Sequence, residues 1–138
     1  MKKKSLLIAI IVFLFDILIK YIVDKTIFYG TLKSIIPKFF YITKVYNNGA
    51  AWNTLIIYQK NFMDNIRNII AFSLVYGGLL GNLFDRIVNG YVIDYLKFYI
   101  GGYEYPVFNL ADVALVIGFI LIIYAIFKGE DKHGSNSR

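Results

Sequence analysis

The chain has 138 residues, 58% of them hydrophobic, and its 15 Lys+Arg against 9 Asp+Glu leave a formal charge of +6. It has no cysteine, which sets aside disulfides, thiol catalysis and Cys-ligated metal. Its single histidine, His133, lies in a polar tail, which argues against a histidine-based triad or a His-ligated zinc site. The length suits one domain, and the mean hydropathy of +0.58 comes from long apolar runs rather than helix or strand stripes. That pattern points to an integral membrane protein. On a soluble protein the basic balance would suggest a nucleic-acid partner. Here Lys2, Lys3 and Lys4 directly precede an apolar run, so membrane topology and anionic lipid account for it and no nucleic acid is expected.

The first run, residues 5–23, is long enough to cross about 30 Å of hydrocarbon as a helix. It has no small-x-small cleavage site after it, so it reads as a retained anchor with its N-terminus in the cytoplasm. Asp16 and Lys20 stand at i and i+4 and share one helical face. They are expected either to pair structurally near the outer interface or to contribute to a site. Residues 30–53 form a β-like extracytoplasmic segment, with the aromatic and β-branched FFYITKVY (39–46) as a strand. NNGAAW (47–52) follows as a turn that continues into small residues. It reads either as a surface receiving an extended peptide or as an ordinary Asn-Gly turn with Trp52 in the interfacial belt.

The second run covers residues 69–88, where Gly77 and Gly81 form a small-xxx-small pair for close helix packing. Near its end come Asn82, Asp85 and Arg86, with Asp85 and Arg86 expected to pair locally. YVIDYL (91–96) is β-prone and carries Asp94 among apolar residues. The third run, 107–127, opens with Asn109 and Asp112, whose Asn-x-x-Asp spacing fits a helix N-cap with an acid in the first turn. Residues 128–138 are a polar tail. If the second and third runs both cross the membrane, Asp94 and Asp112 come to the same bilayer face. Two adjacent carboxyls are suited to acid–base hydrolysis, because one keeps a proton while the other ionises.

Four blocks in order carry a resemblance to a known family: Asp16-x-x-x-Lys20, NNGAAW, GGLLGNLFDR (77–86), and VID (92–94) with FNLAD (108–112). The chain resembles lipoprotein signal peptidase, or signal peptidase II, a family of bacterial membrane aspartic proteases. The resemblance implies a mainly α, integral membrane fold, a transmembrane helical bundle with a small extracytoplasmic β-rich segment. It implies Asp94 and Asp112 as the catalytic pair and Asn47, Gly49, Gly78, Asn82, Arg86 and Asn109 as substrate-binding or site-supporting residues. Asp16, Lys20 and Asp85 would be structural polar groups. The implied substrates are diacylglyceryl-prolipoproteins in the bacterial plasma membrane, cut before the lipidated cysteine at the extracytoplasmic face, with no metal or other cofactor.

The chain departs from that family in one respect: the family has four transmembrane helices and only three runs here are long enough to span. Residues 53–68 hold too many polar groups for a lipid-facing helix. A second helix entering from outside would then carry Asp94 and Asp112 to the cytoplasmic face, opposite NNGAAW. Either residues 55–67 return through the membrane sheltered by protein, or the active geometry is absent. An inactive, internally shortened homologue that binds precursors without cutting them is therefore a second expectation. A small transporter subunit using the intramembrane acids as an ion path is a third.

Overall fold

A computed structural model describes residues 3–49 and 66–128. The elements in chain order are α1 (Lys3–Thr26), β1 (Lys33–Ile36), β2 (Phe40–Asn47), α2 (Ile66–Asn89), β3 (Val92–Ile100), β4 (Tyr103–Glu104) and α3 (Leu110–Phe127). The calls on Ala50, Ala51, Trp52, the path of residues 53–65 and the polar tail beyond residue 128 lie outside the described residues.

α1, α2 and α3 are long and apolar enough to cross a membrane. Their composition is arranged inside out. α1 turns Leu6, Leu7, Leu14, Phe15 and Leu18 outward and buries Ser5, Ala9, Asp16 and Lys20. Lipid offers no solvent penalty to apolar side chains, so small and polar residues collect where helices touch. α2 is the central helix. A Cβ on Gly77 would meet the Ala9 carbonyl oxygen at 2.8 Å, and one on Gly81 would collide with the Asp16 carboxylate. Both expected packing glycines thus face α1. Gly78 faces the other way, where a Cβ would stand 2.5 Å from the Ala111 carbonyl oxygen of α3. α3 answers with Gly118, against the Ala71 carbonyl oxygen, and with buried Ala114, Ile122 and Ala125.

The contacts set the helix directions. At one end Ser73 Oγ donates to the Ser5 carbonyl oxygen at 3.0 Å; at the other Lys20 Nζ lies 3.2 Å from Asp85 Oδ2. α1 and α2 are therefore parallel. α3 is antiparallel to both, with Ala111 beside Gly78 and Gly118 beside Ala71. Of the two alternatives left open by the sequence, the one in which the second long helix returns toward the cytoplasm is excluded. The ends of α1 and α2 and the start of α3 meet at one face of the bundle, and so do β2 and β3.

At that face the strands form one antiparallel sheet in the order β1-β2-β3-β4. The β-prone stretch at 91–96 extends further than expected, to Ile100. The register between β2 and β3 pairs Val45 with Asp94 and Asn47 with Val92, after a bulge between Ile42 and Val45. Bulges re-aim a strand next to a site. An isolated antiparallel bridge joins Leu96 to Phe108, with bonds of 2.8 and 3.2 Å in the two directions. Val107 and Phe108, expected at the head of the third helix, are thus tied to the sheet, and the helix begins at Leu110. Ile93, Tyr95 and Val23 form a second core that seats the sheet on α1.

Close packing at Gly77 sets a stability test. Gly77→Val places a branched side chain against Val12 and the Ala9 carbonyl, and overpacking of this kind costs about 1–3 kcal/mol. A lowered unfolding temperature in detergent is expected, read by the loss of tryptophan fluorescence contrast or by circular dichroism.

Candidate active site

The site is assembled around the N-terminus of α3. Asn109 is its N-cap: the Asn109 side-chain oxygen accepts from the Asp112 N–H at 2.9 Å, and Asp112 Oδ2 accepts from the Asn109 N–H at 3.2 Å. This capping box satisfies helix-end donors that hydrocarbon cannot. The same Asn109 spends its amide on the other acid, donating from Nδ2 to Asp94 Oδ1 at 2.7 Å. The Leu96–Phe108 bridge makes this possible, because it lays the residue after Phe108 beside the residues just before Leu96. One fully buried asparagine therefore touches both carboxyls.

Two more amides complete the enclosure. Asn82 Nδ2, one turn beyond Gly78 on α2, donates to Asp112 Oδ1 at 2.8 Å. Asn47 Nδ2, at the end of β2, donates to Asp94 Oδ2 at 3.0 Å. Asn47 also accepts the Gly49 N–H at 2.8 Å, and a Cβ on Gly49 would stand 2.8 Å from that oxygen, so the turn needs glycine there. Arg86 grips the Gly49 carbonyl at 3.3 Å and the Asn82 carbonyl at 3.4 Å. It braces the turn and the helix, and among the described residues it bonds to neither acid.

Beneath the acids runs an ionic chain. Lys20 Nζ lies 2.7 Å from Asp16 Oδ2 and 3.2 Å from Asp85 Oδ2, and donates to Asn82 Oδ1 at 3.0 Å. Asp16 Oδ1 accepts the Ala111 N–H at 2.9 Å, and Asp85 Oδ2 the Ile93 N–H at 3.0 Å. The expected local pair of Asp85 with Arg86 is corrected here. Successive residues on a helix point about 100° apart, so Asp85 faces Lys20 and Arg86 faces the turn. The expected pairing of Asp16 with Lys20 is present, enlarged by Asp85 and Asn82. All eleven site residues singled out in the sequence meet in this one cluster. Tyr95 was not among them: its hydroxyl accepts the Leu110 N–H at 3.2 Å, a second support for the start of α3. Its signal in the sequence is an aromatic directly after Asp94 in a β-prone run.

Burial pushes the Asp94 carboxyl from its ordinary 3.8 up to about 6. The Asn47 amide opposes that rise, the neighbouring Asp112 charge adds to it, and Asn109 and Lys20 oppose it. Asp94 itself is 3% exposed, whereas Asp112 is half-buried beside an apolar cavity of about 330 Å³ formed with Phe108, Val113, Val116 and Ile117. Among the described residues no cluster of three or more His, Asp, Glu or Cys could hold a metal ion.

Residues 8–63 and 53–128 match the family model for signal peptidase (SPase) II. The chain belongs to the signal peptidase II family. It is 41% identical to the lipoprotein signal peptidases of Staphylococcus aureus strains JH9 and Newman, over 90% of this chain and 88% of theirs. Two solved bacterial membrane enzymes share the fold. One matches with a TM-score of 0.82 at 35% identity, covering 100% of this chain and 96% of its own. The other has a TM-score of 0.80 at 37% identity, covering 93% and 95%. Like its family, the protein is a membrane-embedded peptidase. Its two family matches overlap at residues 53–63, and the stretch aligned with the S. aureus relatives, 143 residues, exceeds the 138 of this chain.

The neighbouring charge and the amides give Asp94 a titration that can be tuned from either side. Asp112→Asn removes the like charge, and the Asp94 value is expected to fall below about 6. Asn47→Ala removes a hydrogen bond to the ionised form, and the value is expected to rise. Titration of 13C-labelled aspartate carboxyls by NMR in micelles reads both shifts.

Proposed function

We propose that this peptidase removes the signal peptide from diacylglyceryl-modified prolipoproteins, cleaving before the lipidated cysteine with Asp94 and Asp112 as its catalytic pair. The observation that carries the reading is the shared asparagine: Asn109 binds Asp94 through its amide and Asp112 through the capping box. That arrangement keeps two acids together where only one ionises cheaply.

The ionised carboxylate takes a proton from a water as its oxygen attacks the scissile carbonyl carbon. The protonated carboxyl gives its proton to the carbonyl oxygen, forming a neutral tetrahedral diol. Collapse breaks the C–N bond and restores the carbonyl, a hydroxyl proton of the diol returning to the carboxylate that had supplied it, while the proton first taken from water passes to the departing amine. Asn82, Asn109 and Asn47 hold the carboxyls throughout, so little rearrangement is needed during the reaction. The apolar cavity beside Asp112 lets acyl chains remain in a hydrocarbon setting while the peptide bond reaches the acids. No metal or organic cofactor takes part. The protein is a multi-pass component of the bacterial plasma membrane, with Lys2, Lys3 and Lys4 on the cytoplasmic side and the site at the extracytoplasmic face.

Cleavage of a diacylglyceryl-modified precursor, followed by gel shift, tests the reading. Asp94→Asn and Asp112→Asn are each expected to lower turnover by about 10³-fold or more, while precursor binding persists. Full turnover in either variant rejects the pair. Precursor binding without product in the wild type assigns the chain to a non-cutting binder instead.

The pH profile is a further test. Above about 6 Asp94 loses its proton, so kcat/KM is expected to fall on the alkaline side. A lipidated substrate covers the site and desolvates it further. The alkaline limb of kcat is therefore expected at higher pH than that of kcat/KM.

A further inference from the structure

A helix begins with four backbone N–H groups that its own turns cannot satisfy. At the start of α3 each of the four has a side-chain acceptor. The Asn109 N–H donates to Asp112 Oδ2 at 3.2 Å, and the Asp112 N–H to the Asn109 side-chain oxygen at 2.9 Å. The Ala111 N–H donates to Asp16 Oδ1 at 2.9 Å. The fourth, that of Leu110, donates to the Tyr95 hydroxyl at 3.2 Å. Of these acceptors Tyr95 is the one carried by β3, the strand that bears Asp94.

Tyr95 follows Asp94 directly, so strand alternation turns it to the other side of β3. There it is 3% exposed and packs in the core with Val23 and Ile93. Its backbone N–H donates to the Phe108 carbonyl at 3.0 Å. Backbone and hydroxyl of this one residue therefore hold Phe108 and Leu110, the neighbours of Asn109 on either side. Asn109 in turn binds both acids. A hydroxyl suits the place, because a carboxylate there would add a further negative charge beside Asp94 and Asp112. Burial holds the phenol above its ordinary value of 10.0, so it stays neutral.

We propose that Tyr95 is a positioning residue for the reaction: by accepting the Leu110 N–H it locks Asn109 and Asp112 in place against the strand that carries Asp94. It acts through Asn109. Without that acceptor Asn109 keeps only one of its two braces, and its amide bond to Asp94 loosens. Asn109 opposes the upward shift of the Asp94 carboxyl, so a loosened Asn109 lets that shift grow. The effect on turnover rests on the Asp94–Asp112 reading; the effect on the Asp94 titration does not.

Tyr95→Phe keeps the ring in the core and removes the acceptor. It is expected to lower kcat on a diacylglyceryl-modified precursor by about tenfold with KM unchanged. The Asp94 carboxyl, followed by 13C NMR in micelles, is expected to titrate above the wild-type value of about 6. Leu110→Pro removes the other partner of the same bond. Proline lacks the N–H and is accepted at the first helical position. Asn109 before it already has the extended backbone that a following proline requires, with φ −130° and ψ 179°. Leu110→Pro is expected to reproduce both effects, and adding Tyr95→Phe to it to change neither further. A hydroxyl serving stability alone would lower the unfolding temperature of Tyr95→Phe in detergent and leave kcat and the Asp94 titration as they were. That result overturns the proposal, and so does a Tyr95→Phe effect of equal size with and without the Leu110 N–H. Full turnover in Asp112→Asn removes the catalytic reading instead, and the titration shift, with its cancellation in the double variant, still decides whether Tyr95 positions Asn109.

Discussion

A lysine ammonium placed in the hydrocarbon between helices must be surrounded by acceptors, and Lys20 is. Its three partners come from α1 itself and from α2, and those partners in turn hold backbone N–H groups of α3 and β3. Removing an isolated charge from water costs several kcal/mol, and here the loss is offset only because every partner is in place. The consequence is geometric. α1, α2, α3 and β3 are all registered to one point, and Gly81 leaves the space in which Asp16 sits. The acids above inherit their positions from that point, chiefly through Asn82.

The upper layer follows a different logic. Asp94 and Asp112 repel each other, and among the described residues no cation makes a direct bond with either. Neutral amides hold them instead, three asparagines donating to carboxylate oxygens. An arginine or lysine in those places would ionise both acids and leave no proton to donate. Amides steady the geometry while leaving the pair free to share a proton. The lysine beneath acts at one remove: by donating to the Asn82 oxygen it turns the Asn82 amide nitrogen toward Asp112. Charge is concentrated below, and neutral amide dipoles surround the two acids above.

The membrane explains why so small a chain can do this. A soluble domain of this size would spend its large apolar residues on a core. Here lipid receives them, and the helix contacts are left to Gly, Ala, Ser and the polar network. Backbones approach closely at Gly77, Gly78 and Gly118. Asparagine side chains with only two rotatable bonds can then bridge between helices, with little conformational entropy lost.

The three spans were legible in the sequence because a bilayer demands about twenty apolar residues whatever the neighbours are. Asn109-x-x-Asp112 was legible as a cap because capping is a contact over three residues, and the four blocks contain the residues that the fold brings into one cluster. The direction of α2 was not. A hydrophobic run carries no arrow, and counting spans made the second helix return when it in fact runs beside the first. The partner of Asp85 was hidden as well: adjacency suggested Arg86, but helix rotation turns Asp85 to Lys20, 65 positions earlier in the chain. Composition and short-range pattern decided which groups are present and which elements carry them. Only packing between distant segments decided that α1 and α2 are parallel and that Asn47, Asn82 and Asn109 converge on two acids, because those contacts are chosen by the whole bundle and by no stretch within it.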